Sequence, residues 1–475
     1  MSEPKSAATM RGLLERQRKS FQAEGPVAVA TRTDRIQRAI NLLVDHEGAL
    51  CEAMSTDFGY RPRIMSRMTD VVPALRALKY ARDNVSGWMK NEERTLSDLY
   101  KGLGARGYVQ YQPKGVVGNI APWNAPVNAT FSPLGGMLAA GNRVMIKPSE
   151  HAPATASLMR DAIAEYFDTS EVVVVTGGQE VAREFARLPF DHLLYTGSIA
   201  VGKLVMAAAA ENLVPLTLEL GGKSPVIVGR SADFERAAER IVLGKLLNAG
   251  QICLSPDYLL VPTERRDALV ASMQKSARHS YPTFQDNPDY CAIINEQHRS
   301  RLDAMVADAR LHGGEVIEID RPRADANAIK RGLTLILAPN DRMQVMREEI
   351  FGPILPIVAY EHVEEAVSYV NSRPRPLGLY YFGSDPGEEE FVLSQTISGG
   401  ATVNDVMQHV AHEQLPFGGV GTSGMGAYHG LDGYRTFSHA RTVYRQTSAD
   451  LAGMAGTRPP YGATLEKTLG SAITR

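Results

Sequence analysis

Leu216-Thr217-Leu218-Glu219-Leu220-Gly221-Gly222-Lys223-Ser224-Pro225-Val226-Ile227-Val228 holds two short apolar runs parted by a glycine pair. Continuous apolar runs, as opposed to alternating ones, suit parallel strands covered on both faces. The same texture extends in both directions. Runs at 116–121, 143–147, 172–175 and 258–261 are separated by stretches of helical length and spacing at 154–167, 200–211, 234–248 and 264–279. A second series follows, with strands near 334–337, 354–360 and 379–382 and helices near 363–371 and 388–397. The alternation predicts an α/β fold with two doubly wound, Rossmann-like sheets, the chain crossing between them near Gly221 and Gly222. Ahead of them, Ile36, Ile40, Leu43, Leu50 and Met54 recur at helical spacing, with Asp34 placed to cap the first turn. Residues 69–90 read as helix too.

At 475 residues the chain is too long for one hydrophobic core. Its 44% hydrophobic and 22% charged residues are those of a globular protein. With 51 basic against 53 acidic residues, no positive excess exists to drive nucleic-acid binding. No apolar run is long enough to span a bilayer, and Glu3 and Glu15 interrupt any targeting signal at the N-terminus. Cys51, Cys253 and Cys291 are too few and scattered for a disulfide framework. A cytoplasmic protein without a metal site or membrane anchor is expected.

Four places carry possible chemistry. Gly197-Ser198-Ile199-Ala200-Val201-Gly202-Lys203-Leu204 is nearly a phosphate-binding P-loop, but Leu204 stands where the magnesium-binding hydroxyl belongs. The same residues follow a predicted strand and open a helix, where free amides attract an anion such as a dinucleotide pyrophosphate. An ordinary strand-to-helix turn accounts for them equally well. Cys253, in Asn248-Ala249-Gly250-Gln251-Ile252-Cys253, follows a helix that Gly250 is placed to end. It is either a nucleophile or a small buried hydrophobe; Cys51 and Cys291 take the second reading. Glu219 closes an apolar strand, where burial would raise its pKa and suit it to general-base work, unless it pairs with Lys223 or Arg230. Asn124, in Pro122-Trp123-Asn124-Ala125-Pro126, is a turn residue or an oxyanion donor.

Taken together these residues resemble the aldehyde dehydrogenase superfamily from about Ala39 to Tyr444. The motifs are Pro122-Trp123-Asn124, Lys147-Pro148-Ser149-Glu150, Thr196-Gly197-Ser198 with Gly202, Glu219-Leu220-Gly221-Gly222-Lys223, Gly250-Gln251 with Cys253, and Glu348-Glu349-Ile350-Phe351-Gly352-Pro353. Pro256-Asp257-Tyr258 and the run from Pro416 to Gly430 look like the class 3 branch, and Arg458-Pro459-Pro460-Tyr461-Gly462 is similar to the ending of its bacterial coniferyl aldehyde members.

The resemblance implies oxidation of an aldehyde, aromatic such as coniferaldehyde or medium-chain aliphatic, to its acid. Cys253 would form a thiohemiacetal and then a thioester, with Asn124 holding the oxyanion and Glu219 activating the hydrolytic water. It implies NAD, with NADP possible, held by Pro122, Trp123, Lys147, Glu150, Gly197, Ser198, Gly202, Glu349 and Phe351. A coenzyme A-acylating relative and a P-loop-like hydrolase are the alternatives. The implied organisation is a cofactor domain of residues 1–95 and 114–220, with 411–435 returning to it. A catalytic domain spans 221–410, and arms at 96–113 and 436–475 pair subunits into a homodimer. Ala125 and Val127 stand where relatives carry larger side chains, which implies an aldehyde channel that is wider or shaped by other residues.

Overall fold

A computed structural model describes residues 5–320 and 329–473. The N-terminal region is helical. Helix Val29–Asp45 buries Ile36, Ala39, Ile40 and Leu43. It begins one turn earlier than its sequence suggests, because Arg32 donates to the carbonyls of Val27 (3.1 Å) and Ala139 (2.8 Å) and anchors that turn. Asp34 therefore lies inside the helix, bonded to Arg38 at 2.9 Å, and is not its cap. Helix Val72–Trp88 continues from a π-turn at Arg67–Val71. Asp70 in that turn is fully buried, meets Arg61 at 2.7 Å, and accepts the amides of Val127 (3.1 Å) and Asn128 (3.2 Å). The loop bearing Asn124 is thereby pinned from below.

Strands β1 (Glu92–Arg94) and β2 (Arg106–Pro113) follow. β3 (Val116–Ile120), β4 (Arg143–Lys147), β5 (Val172–Val174), β6 (His192–Gly197) and β7 (Leu216–Leu220) form a parallel sheet in the order β7-β6-β3-β4-β5. Between Leu220 and Pro225 the chain passes to a second sheet. That sheet holds β8 (Pro225–Val228), β9 (Tyr258–Pro262), β10 (Glu315–Glu318), β11 (Thr334–Leu337), β12 (Ile354–Tyr360), β13 (Gly378–Phe382) and β14 (Gly400–Val403), ordered β10-β11-β12-β9-β8-β13-β14. β15 (Gly424–Met425) returns antiparallel to β7, and β16 (Ser438–Arg445) pairs with β2 along its length. The arm sheet β1-β2-β16 starts at Glu92, four residues before the expected boundary at Leu96. Glu93 pairs with Arg106, and Leu96 packs on Gly107, which closes the hairpin earlier.

β3, β4, β8, β9, β11 and β13 are buried throughout, the burial that continuous apolar runs require. In the first sheet the strand order reverses between β3 and β6. The crevice outside the carboxyl ends of strands at such a reversal is where doubly wound folds take ligands. Pro122–Asn124, Lys147–Glu150, Gly197–Ser198 and Glu219–Gly222 all lie at the carboxyl ends of β3, β4, β6 and β7. Among the described residues, no helix is long and apolar enough to cross a membrane.

Candidate active site

Cys253 is presented by an unusual turn. Helix Phe234–Leu246 stops two residues short of Asn248, and Asn248, Ala249 and Gly250 then take left-handed φ values of 50, 54 and 74°. Such backbone costs a non-glycine residue about 1–2 kcal/mol, so other contacts must hold it. Asn248 donates to the carbonyls of Asn124 and Gln251, both at 3.2 Å. Gln251 donates to Asn248 O (2.9 Å) and Ala292 O (3.0 Å) and accepts the amide of Ile294 (3.0 Å). Gly250 has no alternative residue, since a Cβ there would lie 2.4 Å from the carbonyl of Gly352. On the far side, Tyr380 donates to Leu254 O at 2.6 Å.

Within this frame Cys253 is half-buried, whereas Cys51 and Cys291 are buried in apolar cores. Burial pushes the Cys253 thiol up to about 12, and Glu349 and Glu219 add to the shift by their negative fields. The amides of Cys253 and Leu254 oppose it. Glu219 is 3% exposed and neither carboxyl oxygen has a partner. The ion-paired reading of this residue fails, because Lys223 is taken by Asp257 and Arg230 by Glu264. Burial alone holds the Glu219 carboxyl well above its ordinary range. Asn124 is buried, and its amide donates to Gln251 O at 3.0 Å, leaving a second N–H free. Thiol, carboxyl and amide thus lie close together: the first two share a field, and the third is bonded two residues from the sulfur.

The predicted cofactor residues fall into two groups at the carboxyl ends of the first sheet and in the loop before β12. Trp123 meets Phe351 edge-on with ring centroids 5.4 Å apart, and Pro122 adjoins it in the loop after β3. Glu349 lies against Gly221, where a Cβ would sit 2.0 Å from its carboxylate, and its own carboxyl is pushed up to about 8 by burial and Asp257. In the second group, Lys147 is buried and lies 3.4 Å from Glu150. Ser198 caps helix Ile199–Ala210 by accepting the amide of Val201, and Gly202 packs on Leu220. Tyr195 joins the two ends, with its hydroxyl 3.5 Å from Ser198 O and in the field of Glu150. Lys203 is exposed on the helix, unlike the inward lysine of a P-loop.

Val127 is fully buried in the core behind the loop, with its amide on Asp70, and Ala125 is half-buried. Tyr428 lies in the field of both Cys253 and Glu219, and its ring meets that of Phe417 with centroids 5.6 Å apart. Sequence reasoning also passed over Asp257, whose carboxylate takes Lys223 and the amide of Ile350 (3.0 Å) and so ties the Glu349 loop to the turn after β7. Its only signal was a place in the Pro256-Asp257-Tyr258 motif.

Residues 5–443 match the profile described as the aldehyde dehydrogenase family. A probable coniferyl aldehyde dehydrogenase of Caulobacter vibrioides is 50% identical over 100% of this chain and 99% of its own. A coniferyl aldehyde dehydrogenase of a Pseudomonas strain is 47% identical, with 98% and 96% covered. Among solved structures, AldH of Staphylococcus aureus in a substrate-bound state superposes with a TM-score of 0.92 at 34% identity, covering 98% of this chain and 99% of that one. With profile, relatives and fold in agreement along its length, the chain belongs to the aldehyde dehydrogenase family.

Proposed function

We propose that the protein oxidises aromatic aldehydes of the coniferaldehyde type to carboxylic acids, with Cys253 as nucleophile, Glu219 as base and Asn124 as oxyanion donor. The observation that carries this reading is the unpartnered, fully enclosed carboxyl of Glu219 in the same field as the Cys253 thiol. Buried carboxyls without partners are costly and are found where chemistry uses them. The Cys253 thiol gives its proton to solvent as its sulfur bonds to the aldehyde carbon, giving a thiohemiacetal whose oxyanion is held by the Asn124 amide and the Cys253 backbone N–H. Loss of hydride leaves a thioester on Cys253. Glu219 then takes a proton from a water that attacks the thioester carbon, and the acid departs as the thiol is restored. The intact glutamate speaks against transfer to coenzyme A.

The residues fit a nicotinamide dinucleotide, which when bound supplies the hydride acceptor and a positively charged ring. The capped start of helix Ile199–Ala210 offers free amides to a pyrophosphate, and exposed Val201 and Leu204 offer an apolar surface beside it. Lys147 and Glu150 suit ribose hydroxyls, and the Glu150 carboxylate disfavours a 2′-phosphate, so NAD is preferred. Glu349 and Phe351, beside Trp123, suit the other ribose and the ring. The sheet ending in β7 with β15 is read as the cofactor domain, and the sheet from β8 to β14 as the catalytic one.

Tyr428 beside Cys253 and Glu219, with Phe417 behind it, favours an aromatic over a short aldehyde. The exposed face of β16 and the helix Ala463–Ile473, which shows Leu469 and Ile473 to solvent, support pairing of two subunits through the arms. Three free cysteines suit a reducing cytoplasm. The test is a kinetic panel with NAD. The acid of coniferaldehyde should form with a higher kcat/KM than acetate from acetaldehyde, and Cys253→Ala should abolish both. A strong preference for acetaldehyde would remove the coniferaldehyde assignment.

A further inference from the structure

Lys245 lies in the last turn of helix Phe234–Leu246, is 0% exposed, and its ammonium has no hydrogen-bond partner. The mechanism above makes no use of it. The groups that face it are Asp257, Lys223 and Glu349. Around Glu349 the other charged groups are Asp257, Lys223 and Arg301, with the Cys253 thiol beyond.

The other two cations are occupied. Lys223 donates to the Asp257 carboxylate, to Val345 O at 2.6 Å and to Glu348 O at 3.0 Å, which uses all three of its hydrogens. Arg301 donates to Glu349 O (3.2 Å) and Ile350 O (2.5 Å), so it grips the backbone of the loop and not its carboxylate. Asp257 receives Ile350 N as well. The loop is therefore hung by its main chain, while the Glu349 side chain takes only the amide of Gly222. One enclosed carboxyl lacks a strong donor, and one enclosed ammonium beside it lacks an acceptor.

We infer that Lys245 is a positioning residue for cofactor binding, the buried counter-charge that favours the ionised Glu349 carboxylate for a ligand's hydroxyls. The inference rests on the reading that Glu349 contacts the ribose. An ammonium left bare in a protein interior is unfavourable, and such local violations persist where function requires them. Burial lowers Lys245 to about 8 and raises Glu349 to about 8, so each is poised to charge once the other does. A ligand that accepts hydrogen bonds from neither group but donates hydroxyls to the carboxylate favours the charged pair.

The experiment titrates NAD against the full-length protein by calorimetry across neutral and mildly alkaline pH, using Lys245→Met, Lys245→Arg, Glu349→Gln and the Met/Gln double variant, with thermal unfolding alongside. A buried counter-charge that moves a carboxyl by about one pKa unit corresponds to about tenfold in affinity. Lys245→Met should bind NAD about tenfold more weakly at neutral pH and recover at higher pH, yet unfold no lower than the parent, because an apolar side chain replaces a bare charge. A merely structural lysine would lower both. Lys245→Arg should restore affinity in part, and the double variant should be no weaker than Glu349→Gln. Parental NAD affinity in Lys245→Met, or additive losses in the double variant, would overturn the role of Lys245 and leave the cofactor site standing. Parental affinity in Glu349→Gln would overturn the ribose reading itself.

Discussion

Replacing Glu219 by Gln removes the base and keeps the shape. The carboxyl is enclosed and unpartnered, and burial holds it well above the ordinary value of 4.5. An amide of the same size occupies the same space without a charge to bury, and the fold should tolerate it. General-base catalysis is worth roughly 10²–10⁴ in rate, or about 3–5 kcal/mol of barrier, and that is the expected fall in steady-state turnover. Because the step lost is hydrolysis of the thioester, rapid mixing with NAD and coniferaldehyde should still release about one NADH per site in a burst. Intact-mass measurement should then find the acyl group on Cys253. Stability gives an independent reading. A carboxyl raised on folding stabilises fully below its unfolded value and loses that contribution as pH rises toward its folded one, by up to about 1.4 kcal/mol per pH unit. The variant lacks this loss and should melt higher than the parent under mildly alkaline conditions. Undiminished turnover, or a variant that melts lower at alkaline pH, would refute the reasoning.

Asn124→Ala should lower kcat by about 10²–10³, the usual effect of losing one oxyanion donor, with thiol alkylation unchanged; an effect confined to KM would assign Asn124 to substrate binding. Alkylation of Cys253 in the free protein should be slow at neutral pH and rise with pH without a plateau there, since its thiol is held up to about 12, and bound NAD should accelerate it through the positive ring. A neutral-pH plateau by mass spectrometry would mean a thiolate at rest. Glu150→Gln should improve kcat/KM for NADP relative to NAD by about tenfold, by removing a charge that repels a 2′-phosphate; an unchanged ratio would place the discrimination elsewhere.

The strands were legible because nearly every residue in β3, β4, β8 and β9 is enclosed, and no other arrangement tolerates such runs in water. Polar partnerships were not. Lys223 follows Glu219 closely in sequence and was a natural partner for it, but the chain turns at Gly221 and Gly222 and delivers the ammonium to Asp257, 34 positions on. The carboxyl left behind at Glu219 is informative only because that partner was diverted. The turn before Cys253 was hidden for a different reason. Gly250 marks the helix end in the sequence, but Ala249 carries no signal for left-handed backbone, and the turn begins before Gly250 because Gln251 bonds to Asn248 O and Ala292 O while Asn248 bonds to Asn124 O. Local pattern therefore places the scaffold, whereas the state of the nucleophile and base depends on which long-range donors are already spent. Lys245 is the extreme case. In sequence it is one lysine near the end of an amphipathic helix, and its interest appears only when every other cation near Glu349 is shown to be occupied.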